Sequence, residues 1–171
     1  MPKGRKNRQR TAAEFASVAA QFCRLIESHR KIPQQGFLRQ VAIVLPRLYA
    51  SALELPPVKS KGAFEEVRLT HKEWQTLFKS LGRKVGRHGR YWQVSNPFTN
   101  DDAVAGSLAD DLADIYRDIN PGLKLYKRSP RGAKEAAIWH WRFSLIYHWG
   151  QHATGALRAL QQLHSEWRLG V

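Results

Sequence analysis

Residues 131–167 read RGAKEAAIWHWRFSLIYHWGQHATGALRALQQLHSEW, a long stretch without proline. Ala, Leu, Gln, Arg and Glu dominate its second half, and all are good helix formers. At about 100° per residue, Trp139, Phe143, Ile146, Trp149, Ala153, Leu157, Leu160, His164 and Trp167 share one face. Trp141, Leu145, His148, His152 and Ala156 form a second stripe on an adjoining face. A helix apolar around so much of its circumference belongs at the centre of its domain. Arg142 falls near the middle of the main apolar face. A buried arginine requires an anion, so the rest of the chain has to supply one.

The rest of the chain is long enough, at 171 residues, for one domain with a substantial core. Its single cysteine, Cys23, excludes an internal disulfide framework and fits a reducing compartment. On a helix face it reads as a small core residue. No apolar run approaches the length of about 18 residues that a membrane span needs, and the N-terminus lacks the apolar stretch of a secretory signal. A cytoplasmic protein with no membrane partner is expected.

The formal charge is +14, unevenly spread. Residues 1–92 hold 19 Lys/Arg against 6 Glu, whereas residues 93–171 hold 9 Lys/Arg against 8 Asp/Glu. The first half therefore carries the positive field, which favours a polyanion such as nucleic acid or an acidic protein.

Taken in order, residues 1–11 read as a disordered basic arm carrying Lys3, Arg5, Lys6, Arg8 and Arg10. Residues 12–171 read as a single helical domain. Thr11 and Glu14 have the spacing of a capping box for helix 1, about 12–31, with Phe15, Val18, Ala19, Phe22 and Ile26 inward. Helix 2, about 35–54, has the seam Leu38, Val41, Leu45, Leu48, Ala52 and Leu55, with Pro46 expected to kink or split it. Val58 to Leu69 reads as a loop. Thr70 and Glu73 form a second capping box for helix 3, whose inner face is Trp74, Leu77, Phe78 and Leu81 and whose C-cap is Gly82. A basic loop follows with Arg83, Lys84, Arg87 and Arg90, then Tyr91 and Trp92. Helix 4 is expected over about 101–119, ended by Pro121-Gly122, and Leu123 to Arg128 reads as the link to the last helix. All six aspartates lie between 101 and 118. Asp101 and Asp102 suit a helix N-terminus, and Asp110, Asp111, Asp114 and Asp118 line one flank. No strand-like alternation of useful length occurs. The expected fold is all-α, a single antiparallel bundle of about five helices around a long C-terminal one.

The strings SLADDLADIYRDINPGL (107–123) and WRFSLIYHWGQHATGALRAL (141–160), with RLYASALELP (47–56) and the Tyr91-Trp92 pair, resemble the signature segments of the bacterial DUF5063 family. The resemblance covers roughly residues 14–164. It implies a helical bacterial domain and, the family being one of unknown function, no activity.

Four constellations bear on function. Four carboxylates on one helical flank repel one another unless neutralised, and the simplest partner is Arg142, in an ion pair with Asp111 and Asp114. Breaking that pair with Arg142→Met would cost roughly 3–5 kcal/mol. His148 and His152, at i and i+4, have the spacing to share a divalent metal with Asp111 and Asp114. Arg142 and His148 also fit the loose Arg-x4-6-His pattern of HEPN-type RNases, with the arginine steadying a phosphate and the histidine moving a proton, as do Arg83 and His88. Finally, the arm and the 83–90 loop supply cations for phosphates, and Tyr91 and Trp92 supply aromatic faces. The leading expectation is a basic helical module that binds nucleic acid, or a nucleic-acid-bound partner, without a required cofactor. The alternatives are a metal-dependent or HEPN-like hydrolase centred on Arg142, His148 and His152, and an interaction module for an acidic protein.

Overall fold

The computed structural model describes residues 3–59, 69–128 and 132–169, with side chains over 9–59, 69–128 and 132–166. Helices α1 (Lys3–Ser28), α2 (Gln34–Leu53), α3 (His71–Val85) and α4 (Leu108–Tyr126) are followed by a long helical stretch in three parts. These parts are α5 (Ala133–Ser144), a π turn (Leu145–Trp149) and α6 (Gly150–Leu169). Short 3₁₀ turns, His29–Lys31 and Gly86–Gly89, extend α1 and α3. A two-stranded antiparallel hairpin, β1 (Arg90–Val94) and β2 (Ala103–Ser107), sits between α3 and α4. The protein is thus a helical bundle, with a hairpin that sequence periodicity did not reveal.

The first three helices follow their sequence pattern. Phe15, Ala19, Phe22 and Ile26 of α1 and the whole α2 seam from Leu38 to Leu55 are buried. Cys23 is buried among them, and burial pushes its thiol up from the ordinary range, which makes it a core residue. The Thr70 capping box forms: the hydroxyl accepts from the Glu73 N–H at 3.2 Å, and Glu73 Oε2 accepts from the Thr70 N–H at 2.7 Å. Pro46 lies exposed inside an unsplit α2.

Other boundaries shift for identifiable reasons. Residues 3–11 are helical and continuous with α1, so the arm is not a separate disordered segment over those residues. Lys, Arg and Gln are good helix formers and no proline interrupts them. Thr11 lies inside that helix and not at its N-terminus. Helix α3 runs through Gly82 and is capped by Gly86 at φ 54°, a conformation that suits glycine. The expected 83–90 loop is therefore the last turn of α3, a 3₁₀ turn and the first residue of β1. Helix α4 starts at Leu108, because residues 103–107 pair in the hairpin and Ser107 accepts the Asp110 N–H. Asp101 and Asp102 precede β2 and are not at a helix N-terminus. Residues 60–68 of the expected loop, and the side chains of Lys3, Arg5, Lys6, Arg8 and Trp167, lie outside the described residues.

At its other end α4 passes through Pro121 and Gly122 to Tyr126, across most of the expected link. Proline removes one donor from the helix ladder. Two carbonyls in the turn before it take donors from α5: His140 Nε2–H reaches the Asp118 carbonyl at 3.0 Å, and Trp141 Nε1–H reaches that of Ile119 at 3.1 Å. The central helix is consequently α4, which packs against α1, α3, α5 and α6, and not the C-terminal one.

The C-terminal stretch changes its buried face at the π turn. A π turn inserts one extra residue, which rotates the face by about 100°. Trp149, Ala153 and Leu160 of the expected main face are buried, but Trp139, Phe143 and Ile146 point outward. Ala137 and Trp141 take their place in the core. Gly150 permits the turn, since a Cβ there would run into the Leu145 carbonyl oxygen. Gly122 serves a different contact: a Cβ at that position would collide with the Trp141 indole. Gly122→Ala should therefore overpack the α4–α5 seam and lower stability by about 1–3 kcal/mol. Urea denaturation checks this, and an unchanged midpoint would show that the indole can move aside.

Candidate metal centre

One turn of α4 after another brings Asp111, Asp114 and Asp118 to the same side, facing the π turn and α6. Asp111 and Asp114 are buried, at 4% and 6% exposure, so each needs several donors. Asp114 Oδ1 accepts from Trp74 Nε1–H at 2.7 Å and from the Arg117 guanidinium at 3.0 Å. Asp114 Oδ2 faces two imidazoles, with His152 Nε2 at 3.4 Å and His148 Nε2 at 3.8 Å. Asp111 accepts from Tyr91 Oη–H at 2.8 Å on one oxygen and pairs with His152 Nδ1 at 2.9 Å on the other. Asp118 Oδ2 pairs with His148 Nδ1 at 2.8 Å.

The tautomers follow from these contacts. A carboxylate oxygen only accepts, so both Nδ1 atoms donate, and in the neutral rings both Nε2 atoms present lone pairs. Those lone pairs and Asp114 Oδ2 converge: one ligand atom each from Asp114, His148 and His152 lie within 4.8 Å of one another. Carboxylates that clamp the far nitrogen of each ligating histidine are the usual support of a metal site. Arg117 also approaches His148 Nε2 at 3.5 Å.

The electrostatics match the burial. Desolvation raises Asp111 above the ordinary carboxylate range, opposed by its bonds to His152 and Tyr91. Asp110 is raised by partial burial and by the neighbouring Asp114. The bond to Asp111 raises His152. Burial and the adjacent Asp111 raise the Tyr91 phenol, which therefore stays a donor. His152, Asp110 and Asp111 border a cavity of about 560 Å³ that the hairpin, α4 and α6 enclose, with Gln93, Ser107 and Arg158 on its other walls.

Of the expected site residues, Asp111, Asp114, His148 and His152 come together. Asp111 stands behind His152 rather than among the converging atoms. Arg142 does not join them. It is half-buried, and among the described residues neither Asp111 nor Asp114 pairs with it. The expected Arg142 ion pair is thus replaced by Arg117, Trp74, Tyr91 and the two histidines, because the π turn rotates Arg142 away from α4. The HEPN-like Arg142–His148 pair is not formed either, since Arg117 is the arginine beside His148. Sequence reasoning missed Trp74 and Tyr91 as partners, having assigned the two aromatics to packing or stacking. It placed Asp118 in the stripe but not in the site. The signal for Asp118 was present: Asp114 and Asp118 are one turn apart, as are His148 and His152.

The expected nucleic-acid cations divide between two ends. Arg83, Arg87 and Arg90 are exposed, near Arg30 and Lys31 at the end of α1, and Lys84 donates to the Ile32 carbonyl at 2.7 Å. Arg10 is also exposed, but it lies near the start of α1. The 26 residues of α1 span about 39 Å at 1.5 Å each. Arg10, in the third turn of that helix, is therefore far from the cations beyond its other end.

The fold and the cluster define a mostly helical bundle with a histidine–carboxylate cluster between its central and last helices. The chain belongs to the DUF5063 family, a domain of unknown function, matched over residues 6–166. A comparison with curated proteins gives no match. The crystal structure of protein BF1032 from Bacteroides fragilis is similar in fold, with a TM-score of 0.78 and 23% identity over 90% of this chain and 91% of that one. Among the described residues, no helix is long and apolar enough to cross a membrane.

Asp111→Ala removes the acceptor of both Tyr91 and His152, at about 1–3 kcal/mol for each group left unsatisfied. Arg142→Met should stay within about 0.5 kcal/mol of the parent protein. Chemical denaturation of the two variants reads this contrast, and a reversed order would restore Arg142 as the structural partner.

Proposed function

We propose that this protein is a divalent-metal-dependent hydrolase, with the cation held by Asp114 Oδ2 and the Nε2 atoms of His148 and His152. The observation that carries the reading is the convergence of these three atoms while both Nδ1 atoms are held by carboxylates. Two imidazoles and one carboxylate leave coordination positions for water, the pattern of catalytic rather than structural sites. A cation held there would supply Lewis-acid chemistry and would lower the pKa of a water on it toward neutral. The cavity bordered by His152, Asp110 and Asp111 lies beside this centre and would be the route for a substrate, with Asp110 the carboxylate on that wall that could accept a proton. A cation there would compete with Arg117 for His148 Nε2 and not for its bond to Asp114 Oδ1.

A second reading rests on the exposed Arg30, Lys31, Arg83, Arg87 and Arg90 around the adjoining ends of α1, α3 and β1. A nucleic-acid strand crossing this end would have its phosphates neutralised there. An acidic protein partner is the remaining account of the same charge.

Metal analysis of protein purified without a histidine tag tests the first reading. About one zinc or manganese ion per chain is expected, lost in Asp114→Asn, His148→Ala and His152→Ala. Asp118→Asn, which releases only the far nitrogen of His148, should weaken binding by about 10–100-fold. No stoichiometric metal after incubation with either ion would dismiss the reading.

For the second, anisotropy of labelled single- and double-stranded oligonucleotides should show binding that weakens with salt. The log–log slope should fall by about one for each of Arg87→Gln and Arg90→Gln that removes a phosphate contact. Absence of binding at about 50 mM salt would leave the acidic protein as the partner.

A further inference from the structure

A second cavity, of about 460 Å³, lies where the ends of α1 and α3 meet the start of α2, lined by His29, Arg30, Gln34, Ser80, Arg83 and Lys84. Among the described residues its walls carry three permanent cations and no carboxylate, while Glu27 and Glu73 line the adjoining cavity that shares His29, Arg30 and Ser80. The polar groups form an ordered chain. His29 Nδ1–H donates to the Ile26 carbonyl at 2.6 Å, which leaves Nε2 to accept the Ser80 hydroxyl at 2.7 Å. Ser80 Oγ in turn accepts Arg30 Nε–H at 3.0 Å. Arg30 is thereby anchored through one of its five N–H groups, with its two terminal amino groups left over. Lys84 spends one hydrogen on the Ile32 carbonyl, and Gln34 pins the start of α2 to the end of α3 through the Val85 carbonyl at 3.0 Å.

Cations at helix C-termini have an ordinary explanation in the helix macrodipole. Its scale is insufficient here. Each C-terminus carries roughly half a negative charge, so two of them offset about one of the three cations. A net charge of about +2 remains, the complement of a phosphate monoester near neutral pH. The buried His29 responds to it: burial lowers its affinity for a proton, and Arg30, Lys84 and Arg83 lower it further.

We propose that this cavity binds the phosphate group of a small phosphorylated ligand, with Arg30, Arg83 and Lys84 as its donors. The volume lies in the range of about 300–1,000 Å³ typical of small-molecule sites. Guanidinium groups match two phosphate oxygens at once, and the Ser80–His29 chain fixes one guanidinium before the ligand arrives. The site is separate from the metal centre, and its occupancy does not depend on a bound metal.

The test is an NMR titration of the full chain with inorganic phosphate, against sodium chloride at matched ionic strength. Saturable shifts are expected at Arg30, Ser80, Arg83 and Lys84 with phosphate and not with chloride. Arg83→Gln, at an exposed position with no hydrogen bond among the described residues, should weaken phosphate binding at least about tenfold. Its circular dichroism and metal content should be unchanged. An arm with a single-stranded oligonucleotide, with and without a 5′-phosphate, separates the sources. Tighter binding of the phosphorylated form supports capture of a terminal phosphate. Equal binding of both, with no saturable response to inorganic phosphate, would overturn the proposal in favour of general backbone attraction. Equal phosphate affinity in the parent protein and Arg83→Gln would overturn it as well.

Discussion

A desolvated carboxylate on the central helix has to be matched by donors from around it, and Asp114 is that carboxylate. Its Oδ1 takes donors from Trp74 of α3 and Arg117 of α4 itself, while its Oδ2 faces the imidazoles of His148 from the π turn and His152 from α6. One turn earlier, Asp111 adds Tyr91 from β1. The elements packed on this side of α4 therefore each place a polar group against it. Removing a partner from such a network costs more than forming it contributes, because the group left behind stays out of water. The arrangement thus constrains the register of α3, the hairpin and the last helix together.

The π turn meets the same constraint from the other side. An uninterrupted α-helix from 133 to 169 that buried Trp149, Ala153 and Leu160 would also turn Trp139, Phe143 and Ile146 inward. It would leave Trp141 outside. The extra residue lets Trp141 insert beneath α4, where it bonds the Ile119 carbonyl, while His148 and His152 still face the aspartates. Such turns are common at functional sites. Here the result is a pair of imidazoles whose near nitrogens aim at one carboxylate oxygen and whose far nitrogens are held by two others.

Much of this was legible in the sequence, for reasons that can be stated. The helical period of α1 and α2 survives because each buries one continuous seam. The Thr70 capping box needs only four consecutive residues. The grouping of Asp111, Asp114, His148 and His152 was readable because both helices repeat ligands at one-turn spacing. What stayed hidden depends on non-local contacts. Pro121 and Gly122 look like a helix stop, yet side-chain donors from α5 and the space taken by Trp141 keep them inside α4. The hairpin is short, and β1 alternates only over Arg90 to Val94. Arg142 was misplaced because one inserted residue, invisible to a fixed period, moves it off the α4 interface.

The unneutralised charge also acquires a structure. Arg117, half-buried beside the cluster, stabilises Asp114, whereas the cavity at the joined ends of α1 and α3 has cations and no carboxylate among its described lining residues. The account rests above all on the three converging atoms, and anomalous diffraction from crystals prepared with zinc tests that most directly. It predicts a single peak about 2.0–2.2 Å from Asp114 Oδ2, His148 Nε2 and His152 Nε2. A cluster without a peak, with His152 protonated and bonded to both Asp111 and Asp114, would contradict it.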